Sequence, residues 1–539
     1  MDRDWLWWQH GVIYQIYPRS FYDSNQDGIG DIQGIIDKLD YIQDLGFDAI
    51  WISPINSSPM HDFGYDISDY RSIDPLFGTN KEFYDLVKQA HKRKIRIIMD
   101  LVVNHSSHQH PWFLESASSR DNPKADWYIW QDPRNGREPN NWLAAFGGKA
   151  WQWNAARQQY YLHTHLMEQP DFNWRNPELR KAIFNDIKFW LDKGVDGFRL
   201  DVINFLLKDR ELRNNPFTFR GPSPRPYDLQ AHIYDRNQPE NLEIMTELRR
   251  LSDQYRDRML VGEVYAPRPD PQLSASYVGD GRNMLHMAFD FSIIYQKKWH
   301  ARSFINPVQR WYELLPPQAW PCHVLSNHDQ PRSRSRFGGG KENEKRARVA
   351  AAFLLTIRGT PFIYYGEELG MYNGKIARSQ LQDPVGKKYW PLHPGRDPER
   401  TPMLWSNQKN AGFSSQEPWL PLNEGWQSQN VEVQQADPDS LLNFHKRLIH
   451  IRKKSKALMQ GDWKLEADGS QNYLAYSRTW QKESVLVLLN FDSKTKRIQL
   501  THKRYRALFG THVIPAQEMR QGPWQLRPYE VLILSIKSD

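Results

Sequence analysis

A chain of 539 residues exceeds what one simple core accommodates, and two or three domains are expected. With 39% hydrophobic and 25% charged residues it has the composition of an ordinary globular protein, and no stretch approaches 18 uninterrupted apolar residues, which argues against a membrane span. The formal charge of +8, from 71 basic against 63 acidic residues, is spread along the chain, so no nucleic-acid partner is expected; the densest run, "RKKSK" at 452–456, ends a helical stretch whose dipole it complements.

The opening "MDRDWLWWQHGVIYQIYP" has no basic stretch followed by a long apolar run, so a signal peptide is not expected. The single cysteine, Cys322, excludes an internal disulfide framework and fits a reducing, cytoplasmic compartment. A monomer or homodimer is expected.

Eight short apolar runs read as buried strands. In chain order they are "VIYQIYP" (12–18), "AIWISP" (49–54), "IRIIMDLVV" (95–103), "GFRLDV" (197–202), "MLVGEVY" (259–265), "MAFDF" (287–291), "PCHVLSNHD" (321–329) and "GTPFIYYGEE" (359–368). Amphipathic stretches such as "DIQGIIDKLDYIQDLG" and "NKEFYDLVKQAHKRK" separate several of them. Strand and helix in alternation imply parallel pairing, and eight repeats fit a closed (β/α)8 TIM barrel in the α/β class.

Between the first strand and first helix lies "DSNQDGIGD" (23–31). An EF-hand would need a bidentate Glu at its twelfth position and flanking helices, whereas that position is Gly34 and the preceding element is a strand. The Asp23, Asn25, Asp27 and Asp31 side chains with the Ile29 carbonyl can surround a hard cation; an Asx-turn loop without metal is the alternative. Residues 104–175 are too long for a structureless loop and suggest an inserted subdomain. A second insertion containing "RNNPFTFRGPSPRPYD" follows the fourth strand. From about 459 the short alternating runs "NYLAYSRTW", "SVLVLLNFD", "KRIQL" and "VLILSIK" suggest a C-terminal β-sandwich. The expected domains are thus a barrel over 1–103 and 176–458, a subdomain over 104–175 and a sandwich over 459–539.

Active sites of such barrels lie at the C-terminal ends of the strands. Here those ends carry Asn104-His105, Arg199 with Asp201, Glu263, and Asn327-His328-Asp329. Arg199 and Asp201 are two apart on a strand and point to one side, so the guanidinium can hold the carboxylate ionised for nucleophilic attack. Glu263 needs the opposite tuning to donate a proton. One nucleophile and one acid flanking a bond are the apparatus of retaining glycoside hydrolysis, which places the two carboxyls roughly 5–5.5 Å apart. The third carboxylate, Asp329, can bind sugar hydroxyls and stabilise positive charge at the ring carbon.

The stretches "DLVVNH", "GFRLDVINF", "GEVY" and "SNHD" resemble, in this order, the four short motifs of glycoside hydrolase family 13, the α-amylase family. "VIYQIYPRSFYDSNQDGIGD", "FGYDISDY", "QPDFNW" and "GRDPERTPMLW" are similar to its α-glucosidase and oligo-1,6-glucosidase branch, over about residues 7 to 450. The resemblance implies Asp201 as nucleophile, Glu263 as acid/base and Asp329 as transition-state stabiliser. It implies that Tyr65 stacks on the terminal sugar and that Asp66, His105, Arg199, His328 and Arg400 bind its hydroxyls or position the carboxylates. Asp66 and Arg400 are expected as the pair that closes the pocket at the non-reducing end, making the enzyme exo-acting. Asp100 and Asn104 are expected to support the loop, and Phe146 and Phe172 either wall the pocket or pack in the core. No cofactor is implied for catalysis; a structural Ca2+ or Mg2+ in the 23–31 loop is.

Two further implications conflict. Val202, following the nucleophile, is associated in similar enzymes with α-1,6 bonds. "PNNWLAAFGGKAWQW", "QPENLEIMTELR" and "LQDPVGKKYWP" resemble bacterial α-glucosidases with a long loop after strand four, which favours maltose-type disaccharides and transfer to small acceptors. Small α-glucosides are the expected partners, with the linkage open. The alternatives on the same scaffold are a strict oligo-1,6-glucosidase, a sucrose isomerase, a trehalose-cleaving enzyme or a transglucosylase. Transporter heavy chains that resemble this barrel lack the carboxylate set and carry a membrane span.

Overall fold

The eight apolar runs become strands because each is buried on both faces, as a parallel sheet covered by helices requires. They are β1 (Ile13–Ile16), β2 (Ala49–Ile52), β3 (Arg96–Leu101), β4 (Gly197–Leu200), β5 (Met259–Gly262), β6 (Met287–Ala288), β7 (Cys322–Val324) and β8 (Thr360–Tyr364). The structure, a computed structural model, describes residues 6–219, 221, 223, 225–266, 268–512 and 516–536. The strands pair in parallel in the order β6-β5-β4-β3-β2-β1-β8-β7, forming the nearly closed eight-stranded barrel expected. Alternate residues divide between two layers. Ile13, Trp51, Ile98, Val261, Phe289 and Phe362 fill the interior, while Tyr14, Ile50, Ile97 and Leu260 pack outward against the helices. No backbone ladder joins β6 to β7 among the described residues. There the buried Cys322 thiol donates to the Ala288 carbonyl at 3.4 Å across the seam.

The connecting helices begin at recognisable caps. Thr79 and Glu82 form a capping box at the start of Asn80–Lys92, which buries Phe83, Leu86, Val87 and Ala90 on one stripe. Asn176 caps Pro177–Asp192, which carries the chain into β4. Between β3 and that helix, residues 104–176 contribute the helix Pro111–Ser118 and a three-stranded sheet of Trp130–Gln131, Trp151–Asn154 and Gln159–Leu162.

The C-terminal sandwich expected is built from one six-stranded antiparallel sheet: β9 (Asp462–Asp468), β10 (Tyr473–Trp480), β11 (Glu483–Asn490), β12 (Lys496–Gly510), β13 (Glu518–Leu526) and β14 (Val531–Ile536), in the order β9-β10-β11-β14-β12-β13. Its strands alternate between two cores. Val485, Val487 and Leu489 join the barrel's outer layer, while Leu486 and Leu488 join a separate cluster with Ile498, Leu500, Met519 and Leu534.

Two buried arginines, Arg452 in the helix Leu441–Lys454 and Arg478 in β10, bind main-chain carbonyls of the barrel and have no carboxylate partner among the described residues. Arg452 donates to the Leu355 carbonyl at 2.9 Å and the Gly359 carbonyl at 2.7 Å. Arg478 donates to the Thr356 carbonyl at 2.8 Å and to the Gly461 carbonyl. Leu355 and Thr356 end the helix Asn343–Thr356, where cations complement the dipole. Burial lowers the guanidiniums, Arg452 to about 10 and Arg478 to about 9. Arg478→Met keeps the bulk but leaves two buried carbonyls unpaired, at about 1–3 kcal/mol each, partly offset by the cation no longer desolvated. Thermal unfolding should therefore move to lower temperature, by about 2 kcal/mol of stability, with turnover per folded molecule retained. An unchanged Tm would remove the clamp from this account.

Candidate active site

β4 delivers the central group. A Cβ on Gly197 would lie 2.4 Å from the Met259 carbonyl oxygen, so glycine lets β4 and β5 close up. Backbone bonds then lock the strand ends: Glu263 N donates to Leu200 O at 2.9 Å and Ile203 N to Glu263 O at 3.1 Å. Arg199, 1% exposed, lies over the Trp51 ring at 5.2 Å. Its Nη1 binds Asp100 at 2.6 Å and Asp201 at 2.8 Å, and its Nη2 binds Glu263. After Asp201 the chain turns through Val202 at φ 36°, ψ 48°, a left-handed conformation that a β-branched residue adopts only under constraint.

Three carboxylates around one guanidinium cannot all be charged in a buried site. Burial pushes Asp201 well above the usual carboxylate range, and Glu263's charge adds to it. Burial likewise raises Glu263 and brings Asp100 to about 6, against the pull of Arg199. The cluster therefore retains a proton at neutral pH. Arg199 bonds all three carboxylates, so the retained proton belongs to the cluster as a whole.

Asp329, after β7, is tuned oppositely. Burial opposes its charge, but the Arg396 and Arg400 guanidiniums outweigh burial and hold it well below the usual range. Arg400 Nη2 reaches Asp329 at 2.7 Å and its Nε donates to the His328 carbonyl at 2.8 Å; Arg396 Nη1 lies 3.4 Å from Asp329. His328 hydrogen-bonds the Tyr65 hydroxyl, stacks on the Tyr65 ring at 5.7 Å and meets Gln15 at 2.7 Å. Burial lowers His328 to about 3 and His105 to about 4, so both rings are neutral.

These groups meet at a cavity of about 170 Å³. Of the residues expected in the site, Tyr65, His105, Phe146, Asp201, Val202, Glu263 and Asp329 line it. Arg199, His328 and Arg400 stand behind the lining and hold the carboxylates or Tyr65. Asp100 pairs with Arg199, and Asn104 accepts from the buried Lys208 at 3.1 Å, so both support rather than line.

Two expectations need correcting. Asp66 does not pair with Arg400: its buried carboxylate accepts from Ser58 Oγ, His61 N and Asp62 N, which ties down the 58–62 loop. The acid–base pair at the cavity wall is instead Asp62 with Arg396, at 2.7 Å, with Arg396 also on Asp383 at 2.6 Å and over Phe146 at 4.9 Å. Phe172 is fully buried against Tyr128 and Tyr70, leaving Phe146 as the wall. The oxygens of the 23–31 loop do not form a metal cluster among the described residues. Asp23 accepts from Gln26 N and Gly28 N, Asn25 from Asp27 N, Asp27 from Ile29 N, and Asp31 from Ser24 N and Gly34 N. The donor set fits a ladder of Asx turns ending in a helix cap, with its oxygens already engaged.

Sequence reasoning missed Asp62, Arg396, His165, Phe205, Tyr265, Tyr295 and Arg225 in the lining. The signal for the first two lay in motifs already singled out: "HDFGYD" holds two aspartates and "GRDPER" two arginines, each four residues apart.

Among the described residues no helix is long and apolar enough to cross a membrane. The chain is 44% identical, over 94% of its length and 93% of the relative's, to a probable alpha-glucosidase of Rhizobium meliloti (strain 1021). It is 39% identical to an oligo-1,6-glucosidase of Parageobacillus thermoglucosidasius, over 98% and 99% of the two chains. Its fold matches the solved alpha-glucosyl transfer enzyme XgtA with a TM-score of 0.92 at 41% identity, covering 99% of this chain and 100% of that one. Residues 15–461 match the alpha amylase catalytic domain. The barrel with its carboxylates at the strand ends is accordingly that of the α-amylase family, glycoside hydrolase family 13, to which this chain belongs.

Proposed function

We propose that this chain is a retaining, exo-acting α-glucosidase that releases glucose from the non-reducing end of short α-glucosides and transfers part of it to small acceptors. The observation that carries the reading is the sharing of one buried guanidinium, Arg199, by Asp201 and Glu263 beside a small cavity that Asp62 and Arg396 flank. In the first step Asp201 attacks the anomeric carbon and Glu263 gives its proton to the departing oxygen, leaving a glucosyl-enzyme. In the second, Glu263 takes a proton from water or a sugar hydroxyl, which displaces Asp201 from the same carbon and restores the anomeric configuration. Asp329, ionised between Arg396 and Arg400, faces the positive charge that develops on the ring.

The small cavity, with Phe146, His105 and His165 of residues 104–175 on one side, supports a site for a terminal sugar rather than a groove for a long chain. Val202 in the wall supports isomaltose-type bonds, and the long segment after β4 supports maltose-type bonds, so both linkages belong to the proposal. The single buried cysteine supports a cytoplasmic setting, as a monomer or homodimer.

Incubation with maltose, isomaltose, sucrose and trehalose, with the products resolved, tests the reading. Glucose and transfer products from maltose or isomaltose are expected; inertness toward all four would end it. The raised Glu263 keeps its proton above the usual carboxylate range, so the alkaline limb of kcat/KM should lie above that range too. Glu263→Gln should lower kcat by at least about 10²-fold and abolish that limb, and a retained limb would reassign the acid.

A structural Ca2+ or Mg2+ at residues 23–31 could use the lone pairs that Asp23, Asn25, Asp27 and Asp31 keep beyond the amides they accept, and it enters the proposal as a stability effect only. Excess Ca2+ should raise Tm and a chelator should reverse the rise, with kcat unchanged. A Tm indifferent to both assigns the loop to its Asx turns alone.

A further inference from the structure

A second cleft, of about 340 Å³, opens at the end of the barrel opposite the catalytic mouth. Trp8 precedes β1, His286 precedes β6, Trp320 precedes β7 and Arg358 precedes β8, so the fold gathers all four at the strands' N-terminal ends. The cleft is built into the packing of its loops. A Cβ on Gly281 would lie 2.5 Å from Ala319 N and 2.7 Å from Gln318 C, so two loops press together along its edge.

Its lining is cationic. Arg249 is neutralised by Asp253 at 2.8 Å and donates to the Met284 carbonyl at 3.0 Å. Arg282 and Arg358 line the same cleft with no carboxylate partner among the described residues. Arg358 lies over the Trp320 ring at 4.9 Å, and Arg282 is exposed. His286 accepts from Leu260 N through Nδ1 at 3.1 Å, which puts its ring proton on Nε2 as a further donor.

Two uncompensated guanidinium forks favour a dianion over a carboxylate, and a phosphoryl group carries close to two charges at neutral pH. A bare phosphate would fill only a small part of a cleft of about 340 Å³, and an organic body would occupy the rest. We infer that this cleft binds a small organic phosphate, its phosphoryl group between Arg282 and Arg358 and its body along the cleft floor lined by Gln9, Pro317 and Gln318. The site is separate from the carboxylates and does not depend on the proposed chemistry.

Calorimetric titration of the full chain at about 150 mM salt with inorganic phosphate, glucose 6-phosphate and AMP tests it. One saturable site for an organic phosphate is expected, at least about tenfold tighter than for inorganic phosphate. Arg282→Glu with Arg358→Gln should weaken it at least about tenfold, with turnover of a neutral aryl α-glucoside retained as the check on folding. Asp201→Asn should bind as the parent does, which separates this cleft from the sugar pocket. No saturation, no preference for the organic phosphates, or undiminished binding in the double variant would overturn the assignment.

Discussion

The site depends on one buried cation. Without Arg199, three carboxylates would lie in a region closed to solvent with nothing to hold them apart or in place. A guanidinium suits the task because its planar fork offers separate nitrogens to separate partners and stays charged when buried. Asp100 and Asp201 take one nitrogen and Glu263 the other, so a single side chain orients Asp201 and Glu263 together. The same residue leaves the cluster short of positive charge. That shortage keeps a proton on it, while Asp329, with two arginines of its own, stays ionised. How readily each carboxylate ionises is thus set by how many cations it can reach.

The surrounding architecture serves this arrangement by holding strand ends rigid. Side chains from β1, β2, β5 and β8 interlock inside the barrel, and the helices bury its outer face. The C-terminal sheet contributes through Arg478 and the helix Leu441–Lys454 before it through Arg452, both of which bind carbonyls at the end of the helix leading into β8. Neither touches the catalytic groups. Both secure the segment from which Arg396 and Arg400 continue.

Much of this was legible in the sequence for definite reasons. Strands buried on both faces must be apolar throughout, so all eight stood out as short runs. Arg199, Asp201, Glu263 and Asp329 each follow or sit within such a run, and the barrel rule converts that placement into a site. The less legible residues sit on loops, where the choice between near neighbours depends on how the chain turns. Asp62 and Asp66 are equally acidic, but the backbone amides of His61 and Asp62 consume Asp66. Arg396 and Arg400 divide similarly, one at the wall and one behind Asp329. The acidic loop at 23–31 reads two ways because the side chains that suit a cation also suit the amides of a tight turn.

Val202 carries a consequence of its own. It turns the chain out of β4 in a left-handed conformation and also forms part of the pocket wall. Reshaping that wall by exchanging residue 202 therefore alters the hinge that aims Asp201. Glycine would relieve the torsion but remove the wall, whereas any branched side chain keeps both. The shape of the pocket wall and the placement of Asp201 are coupled at this position, so that one is not altered without disturbing the other.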